Sequence, residues 1–425
     1  PPQEAYAESS AGLAWSRTAT RDTDLPDLGW HYDALDYLIS EIAVAGATLT
    51  LTNGVAVGVW GPTGFKLQAA SQLLSHGTPL DLIRIVRYPA VQEQVSGGYP
   101  TDNTGTLLAE DLTDGWLPEV RLRFTELPLL TSGGQHFSGG GKLGWLSLQD
   151  CQLWGGSLSF NQSAGVSRTV AFTNTLFKRV SLSFGTGSDA NLTTYARNCL
   201  FRHCPGINLN AASGNSWAWH DNFFDHSPSW VYYGSVTNSN NGYLGCSPIA
   251  NGTANVLLGS FGYATGPLGR FYQDSTTLQD LGSRSAAAAG LFHFATRAAQ
   301  AKDGATMVDI GFHYAACVSG TPVDSDGDEL SDITEDTNGN GAYEAIGDVA
   351  NYQVADTDGD GWNDNIELYT LTNPTDSDTD HDGITDPQEA PQGFNPLHPD
   401  TDGDGWPDGA EVAEDLSLFR YSYNL

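Results

Sequence analysis

Carboxylates recur at every second position through the last quarter of this chain. In 356–367 (DTDGDGWNDNIE) the acids are Asp356, Asp358, Asp360, Asp364 and Glu367, with Trp362 among them. The block 378–389 (DTDHDGITDPQE) repeats this with Asp378, Asp380, Asp382, Asp386, Glu389 and Ile384. The block 400–411 (DTDGDGWPDGAE) does so with Asp400, Asp402, Asp404, Asp408, Glu411 and Trp406. Counted from its first Asp, each block offers side-chain oxygens at positions 1, 3, 5, 9 and 12, and a main-chain carbonyl at the apolar position 7. That is the donor order of a loop wound around Ca²⁺, with a water-mediated group at 9 and a bidentate Glu at 12. A fourth block, 324–335 (DSDGDELSDITE), keeps Asp324, Asp326, Asp328, Leu330, Asp332 and Glu335, but has Glu329 at position 6, where the turn favours glycine. A fifth starts at Asp336 and has Asn338, Asn340 and Glu344 at positions 3, 5 and 9, with Gly347 at 12. It is expected to bind weakly or to borrow a ligand such as Asp348. A merely solvated acidic run has no reason to repeat a period-2 ligand pattern.

The spacing between blocks limits what can position them. Glu335 closes one block and Asp336 opens the next, so no helix fits between them. The gap 390–399 contains Pro391, Pro396 and Pro399. A paired EF-hand needs a helix on each side of every loop. The segments TNPTDSDTDHDGITDPQEA (372–390) and FNPLHPDTDGDGWPDGAE (394–411) instead resemble thrombospondin type 3 repeats, and the resemblance covers roughly 324–415. It implies a chain wrapped around a string of structural calcium ions. A dockerin pair repeats at a similar length, but five blocks and Glu at position 12 argue against it.

Charge is partitioned to match. Residues 322–425 hold 27 Asp+Glu and one basic residue, Arg420, so 26 of the 33 net negative charges lie there. Residues 1–321 carry 24 acids against 17 Lys+Arg, a net of −7. Five bound Ca²⁺ would cancel about 10 charges, and self-repulsion opposes the fold without them. Such acidity excludes a nucleic-acid partner. The 49 Gly, 11 Trp, four Lys and one Met suit a β-rich extracellular protein. The chain opens on Pro1 with no signal-peptide apolar region, so a mature, processed, secreted protein is expected. No stretch approaches 18 uninterrupted apolar residues, and no membrane span is expected. Five cysteines, Cys151, Cys199, Cys204, Cys246 and Cys317, are odd in number, so at least one is unpaired and most are expected to be buried thiols.

The middle of the chain repeats. Align LRFTELPL (122–129), LSLQDCQL (146–153), VAFTNTLF (170–177) and YARNCLF (195–201). Polar residues fall at Glu126, Asp150, Asn174 and Asn198, 24 apart, and Asn222 continues the count. A second strand follows each time: SLSF at 157–160, SLSF at 181–184 and INLN at 207–210. This period, with short alternating strands, matches one turn of a parallel β-helix. Stacking at about 4.8 Å per turn predicts an Asn/Asp column at one corner and an aliphatic–aromatic column inside. Cys151 and Cys199, two turns apart, would then lie about 10 Å apart, too far for a disulfide. The run TLTLTNGVAV…LLSHGTPLDLIRIV within 47–88, with corner glycines Gly54 and Gly77, resembles the opening turns of right-handed β-helix proteins of the pectate-lyase-like superfamily. That resemblance reaches from about 47 to 260 and implies the fold, not an activity. A β-sandwich is the structural alternative.

The expected fold class is therefore all-β: a right-handed parallel β-helix with an irregular calcium-binding repeat domain after it. The expected divisions are an N-terminal docking segment (1–46), the β-helix with its cap (47–320) and the calcium repeats (321–425). One further motif recurs: Asp27, Gly29, His31 and Tyr32 match Asp309, Gly311, His313 and Tyr314. Both histidines are expected to pack rather than to ligate metal.

The acids that could build a catalytic site are Asp150, Asp189, Asp221 and Asp225, with Lys142, Lys178, Arg179, Arg197 and Arg202 as basic candidates. Asp150 reads as a ladder residue. His220, Asp221, Asp225 and His226 in WHDNFFDHSPSW form a compact polar cluster, with Trp217, Trp219 and Trp230 as candidate stacking platforms. Its plainer reading is a terminal turn capped by aromatics. Asn161, Asn191 and Asn251 head glycosylation sequons. The leading expectation is a non-catalytic, secreted structural or adhesive protein stabilised by calcium. It would partner copies of itself in a head-to-tail polymer, or other surface proteins. A polysaccharide lyase or a glycan-binding module is the alternative, with polysaccharide as partner.

Overall fold

The computed structural model describes residues 8–9, 12–13, 35–52, 54–88, 105–110, 117–129, 134–139, 144–160, 168–184, 192–210 and 215–413. Most of the 1–46 segment lies outside these, as do Asp27, Gly29, His31, Tyr32, Lys142, Asn161, Asp189 and Asn191. The chain forms two compact units. One comprises Pro1–Ser285 with Ala295–Tyr314, the other Ala286–Phe294 with Ala315–Leu425.

In the first unit, alternation of apolar and polar residues makes strands that bury every second side chain, as in Trp145–Gln149 and Ser157–Phe160. Each turn contributes one strand to each of three parallel sheets, of eight, eight and ten strands. Trp145–Gln149, Gln152–Trp154 and Ser157–Phe160 pair with Arg168–Thr173, Leu176–Lys178 and Ser181–Phe184 of the next turn. The result is a parallel β-helix. It starts ahead of residue 47, because Tyr37–Ile39 and Ile42–Val44 already pair with Ala56–Val59 and Thr63–Leu67. Inside, Phe177, Phe201, Phe224 and Tyr243 stack ring on ring at 5.0 Å per step. That spacing is close to the strand separation, so the rings add stacking contact to the hydrogen-bonded ladder.

The corner column differs from a constant 24-residue count. Arg123 pairs with Gln149 and Arg197 with His220, so the column runs Phe124, Asp150, Asn174, Asn198 and Asp221 rather than through Glu126 and Asn222. The turns differ in length, and a fixed period drifts off them. All five residues are left-handed (φ 47, 55, 45, 55 and 63), a conformation Asn and Asp tolerate better than most residues. The next residue in each turn points inward and donates to the walls: Cys151 to Leu122 O (3.3 Å), Thr175 to Leu148 O (3.0 Å) and Asn222 to Ala196 O (2.8 Å). No disulfide links the five cysteines. Burial pushes the Cys151, Cys199 and Cys204 thiols up to about 12, so they act as small core groups rather than nucleophiles.

The second copy of the repeated motif lies along this column. His313 N donates to Asn174 Oδ1 (2.7 Å), Asn174 Nδ2 returns to His313 O (3.0 Å), and Asn198 Nδ2 donates to Asp309 O (3.0 Å). Gly311, at φ 108, donates to Asp221 O at 2.9 Å. The His313 ring is buried against Asp303, 2.9 Å away, and is a packing residue.

His136 gives this unit a measurable acid response. Its ring is 1 % exposed; Nε2 donates to Gly155 O at 2.8 Å, and Nδ1 has no partner. Burial lowers its pKa to about 4. As pH falls through 6.5 the unfolded chain takes up this proton while the fold refuses it. Stability is therefore lost between about pH 6.5 and 4, by about 3 kcal/mol in total. His136→Gln keeps a donor for Gly155 O but cannot titrate. The wild-type β-helix, compared with this variant, should lose that amount in denaturant titrations across this pH range; a constant difference contradicts the assignment.

In the second unit four short helices, Asp332–Glu335, Asp364–Thr370, Asp386–Glu389 and Asp408–Ala413, each begin at position 9 of an acidic block. Asp at the first helical position and Glu three residues on place negative charge where the helix dipole is positive. Each of these four blocks is thus loop then helix, not helix–loop–helix. Among the described residues no helix is long and apolar enough to cross a membrane.

Candidate metal centre

Each acidic block folds by the same backbone logic. In 356–367, Asp356 Oδ1 accepts from Gly359 N (2.8 Å) and Oδ2 from Gly361 N (3.1 Å). Asp358 Oδ1 accepts from Asp360 N (3.1 Å), and Asp360 Oδ1 from Trp362 N (2.8 Å). The period-2 acids thus wind the turn around their own carboxylates and leave Asp358 Oδ2 and Asp360 Oδ2 without donors. Asp364 at position 9 is occupied differently: it takes both the N–H (2.9 Å) and the hydroxyl (2.8 Å) of Thr357. The same threonine clamp recurs as Thr379 on Asp386 and Thr401 on Asp408, and Ser325 makes the hydroxyl bond to Asp332. The DTD and DSD strings carry that signal in the sequence, where it went unread.

Two kinds of carboxylate group result. Within a loop, Asp324, Asp326 and Asp328, and likewise Asp356, Asp358 and Asp360, each bring an oxygen within 4.8 Å of the others. Between loops, Asp328 and Glu335 meet Asp364, and Asp360 and Glu367 meet Asp386. Position 5 belongs to both kinds, and Asp364 and Asp386, at position 9 of their own loops, also meet carboxylates of an earlier Asp-rich loop. Glu389 lies in the field of Asp380, Asp382, Asp386 and Asp408, which continues the series.

Glu335, Glu367 and Glu389 are 0 % exposed, and neither oxygen of any of the three has a hydrogen-bond partner. Burial and the surrounding aspartates push these carboxyls up, Glu335 to about 9 and the other two to about 8. An uncompensated buried carboxylate costs several kcal/mol. Asp358 Oδ2 and Asp360 Oδ2 are orphaned in the same way. For Asp360 the cause is legible. The matching oxygens of Asp328 and Asp382 accept from the position-10 N–H of the next loop, Asn365 (3.1 Å) and Gly409 (2.7 Å). In the loop after Asp360 position 10 is Pro387, which has no N–H. A donor set made wholly of oxygen, with several carboxylates per group, fits a hard divalent cation.

The first loop keeps its turn despite Glu329, whose N–H still reaches Asp324 Oδ2 at 3.1 Å but from φ 82. Glu329→Gly should raise the thermal midpoint of the ion-loaded tail, by about 1 kcal/mol of relieved strain; an unchanged or lower midpoint contradicts this.

The fifth loop closes on itself. Asn338 Nδ2 donates to Glu344 Oε2 (2.9 Å) and Asp348 Oδ1 (3.1 Å), and Asn340 Nδ2 donates to Glu344 Oε1 (3.0 Å). Asp348 does reach the loop, but onto an amide. Asp336 is held by Gly341 N (2.6 Å), Gly339 N (2.7 Å) and His293 Nε2 (2.8 Å). Burial raises its carboxyl, but the His293 bond and these N–H groups outweigh that and hold it low. His293 Nδ1 also lies 3.2 Å from Asp332, so one buried imidazole ties the first two loops together. Sequence reading missed His293, because 43 residues separate it from Asp336 and no spacing pattern links them.

The polar cluster of WHDNFFDHSPSW is not a shared site. Asp221 is buried against Ser283 and Arg284 (Nη1, 2.8 Å). Asp225 accepts from Arg202, His226 and Tyr263, and His220 contacts Ser239. Trp217 and Trp219, offered as stacking platforms, are 3 % and 0 % exposed and pack inside, Trp219 on Phe201 at 5.5 Å. Their alternation along Ser216–His220 turns both rings inward. Only Trp230 of the three is exposed. Comparison with protein-family models, curated proteins and solved structures finds no match for the chain.

Proposed function

We propose that the chain is a non-catalytic, calcium-stabilised structural or adhesive protein, a parallel β-helix carrying a thrombospondin type 3-like tail. The observation that carries this reading is the three buried glutamates without partners, Glu335, Glu367 and Glu389, each set among aspartates. Calcium is favoured over magnesium because these clusters offer many carboxylate oxygens in loops of adaptable geometry, whereas Mg²⁺ keeps several waters and an octahedral shell. The first, third, fourth and fifth loops in chain order would hold ions, and the self-closed loop at Asp336 would hold none. The ion would supply charge compensation and folding free energy, not chemistry.

An extracellular setting follows from this reading, since sites that fold a domain only when loaded suit millimolar calcium. Self-association is part of the proposal. Among the described residues no strand pairs beyond Ser229–Tyr233 in its sheet, and Trp230, Tyr232 and Tyr233 there are exposed, the kind of edge another copy extends. Sedimentation in millimolar calcium tests it: concentration-dependent growth supports assembly, and a monomer at all concentrations removes that part. The calcium reading itself is tested by counting bound ions.

A further inference from the structure

A cationic corner stands out on a chain whose net charge is −33. Trp154, Lys178, Arg202 and Asp225 are in register in successive turns, followed by Leu244. The residue after each is Gly155, Arg179, His203, His226 and Gly245, with φ 64, 59, 49, 47 and 64. Glycine suits this left-handed position, and a side chain there costs about 1 kcal/mol. The outer turns use glycine, while three consecutive turns between them keep an arginine and two histidines. Strain retained in this way points to side chains kept for what they bind.

The cations converge over an aromatic floor. Lys178 Nζ lies 4.8 Å from the Trp154 ring centre and 5.3 Å from Phe271. The Arg202 guanidinium lies 4.6 Å from Tyr263 and 5.2 Å from the same Phe271. Asp225 is the carboxylate paired here, and its oxygens already accept from Arg202 (3.0 Å), Tyr263 (2.9 Å) and His226 (2.6 Å). Lys178, Arg179 and Arg270 make no ion pair among the described residues. Burial and the charges of Arg202, Arg179 and Arg270 together lower the Lys178 pKa, as expected where cations crowd together. His203, Asp225 and His226 bring ligand atoms within 4.8 Å, as a metal site would, but the surrounding guanidinium charges oppose a divalent cation.

We propose that this corner binds a tetrahedral oxyanion, a sulfate or phosphate group, free or as an ester. Lys178, Arg179 and Arg270 form the clamp, and Arg202 is fixed between Asp225 and the aromatic floor. Three unpaired cations exceed what one carboxylate neutralises, whereas a dianion offers each an oxygen.

The test is calorimetric titration of the full chain, calcium-loaded and at low ionic strength, with sodium sulfate, glucose 6-phosphate and sodium acetate. Saturable binding of sulfate or the phosphate ester, well above acetate, is expected, and the tighter of the two identifies the source. Arg179→Gly relieves the backbone and should leave the thermal midpoint unchanged or higher while weakening binding about tenfold. Lys178→Met keeps the contact on Trp154 and should weaken binding similarly. No saturable heat with either oxyanion, acetate bound as tightly, or unchanged affinity in both variants overturns the proposal.

Discussion

Stripping divalent ions from the chain is expected to unfold the acidic tail and leave the β-helix intact. Among the described residues from 322 onward the buried apolar side chains are Ile333, Ala350, Tyr352, Pro374, Ile384 and Phe394. The buried acids over the same span outnumber them: Asp328, Asp332, Glu335, Asp336, Asp364, Glu367, Asp386, Glu389, Asp408 and Glu411. Apolar burial at about 1.5–3 kcal/mol per side chain does not hold some 90 residues against chain entropy and that repulsion. The β-helix has a continuous core of stacked aliphatic and aromatic columns and needs no ion. Calorimetry with and without a chelator should therefore show the tail's transition disappear and the β-helix transition hold within a few degrees. An equal shift of both contradicts this division.

The second large effect separates neighbouring aspartates. Asp358 groups with Asp356 and Asp360 and lies in the field of Glu367, all in its own loop, whereas Asp360 also meets Asp386 of the next loop and has an oxygen that Pro387 leaves without a donor. Asp360→Ala should abolish two ion positions and weaken calcium binding in that region at least about a hundredfold. Asp358→Ala should abolish one. Asn338→Ala should leave the ion count unchanged, because that amide is satisfied by Glu344 and Asp348. Equal stoichiometry for Asp358→Ala and Asp360→Ala would show that no ion bridges adjacent loops.

The acidic blocks were readable because their carboxylates recur on a strict local period, from Asp324 through Glu411. The strands Ser157–Phe160 and Ser181–Phe184 were readable for the same reason, since alternation is local. What escaped depends on contacts across turns. The corner slipped from Asp221 to Asn222 because turn length varies while a count does not. Trp217 and Trp219 looked like a surface because composition does not say which phase of an alternation faces inward. His293 and the sharing of position 5 between loops are set by tertiary packing, which no spacing within one block encodes.

Calcium is proposed to compensate the buried carboxylates of the tail. Equilibrium dialysis of chelator-treated full-length protein against calcium, with the bound metal counted, tests it directly. Four Asp-rich loops and three junctions between them predict roughly seven ions, with none at the Asp336 loop. Binding should restore the tail's thermal transition, with magnesium far less effective. No bound calcium at millimolar concentration, or a tail transition that is present and unmoved without it, contradicts the account.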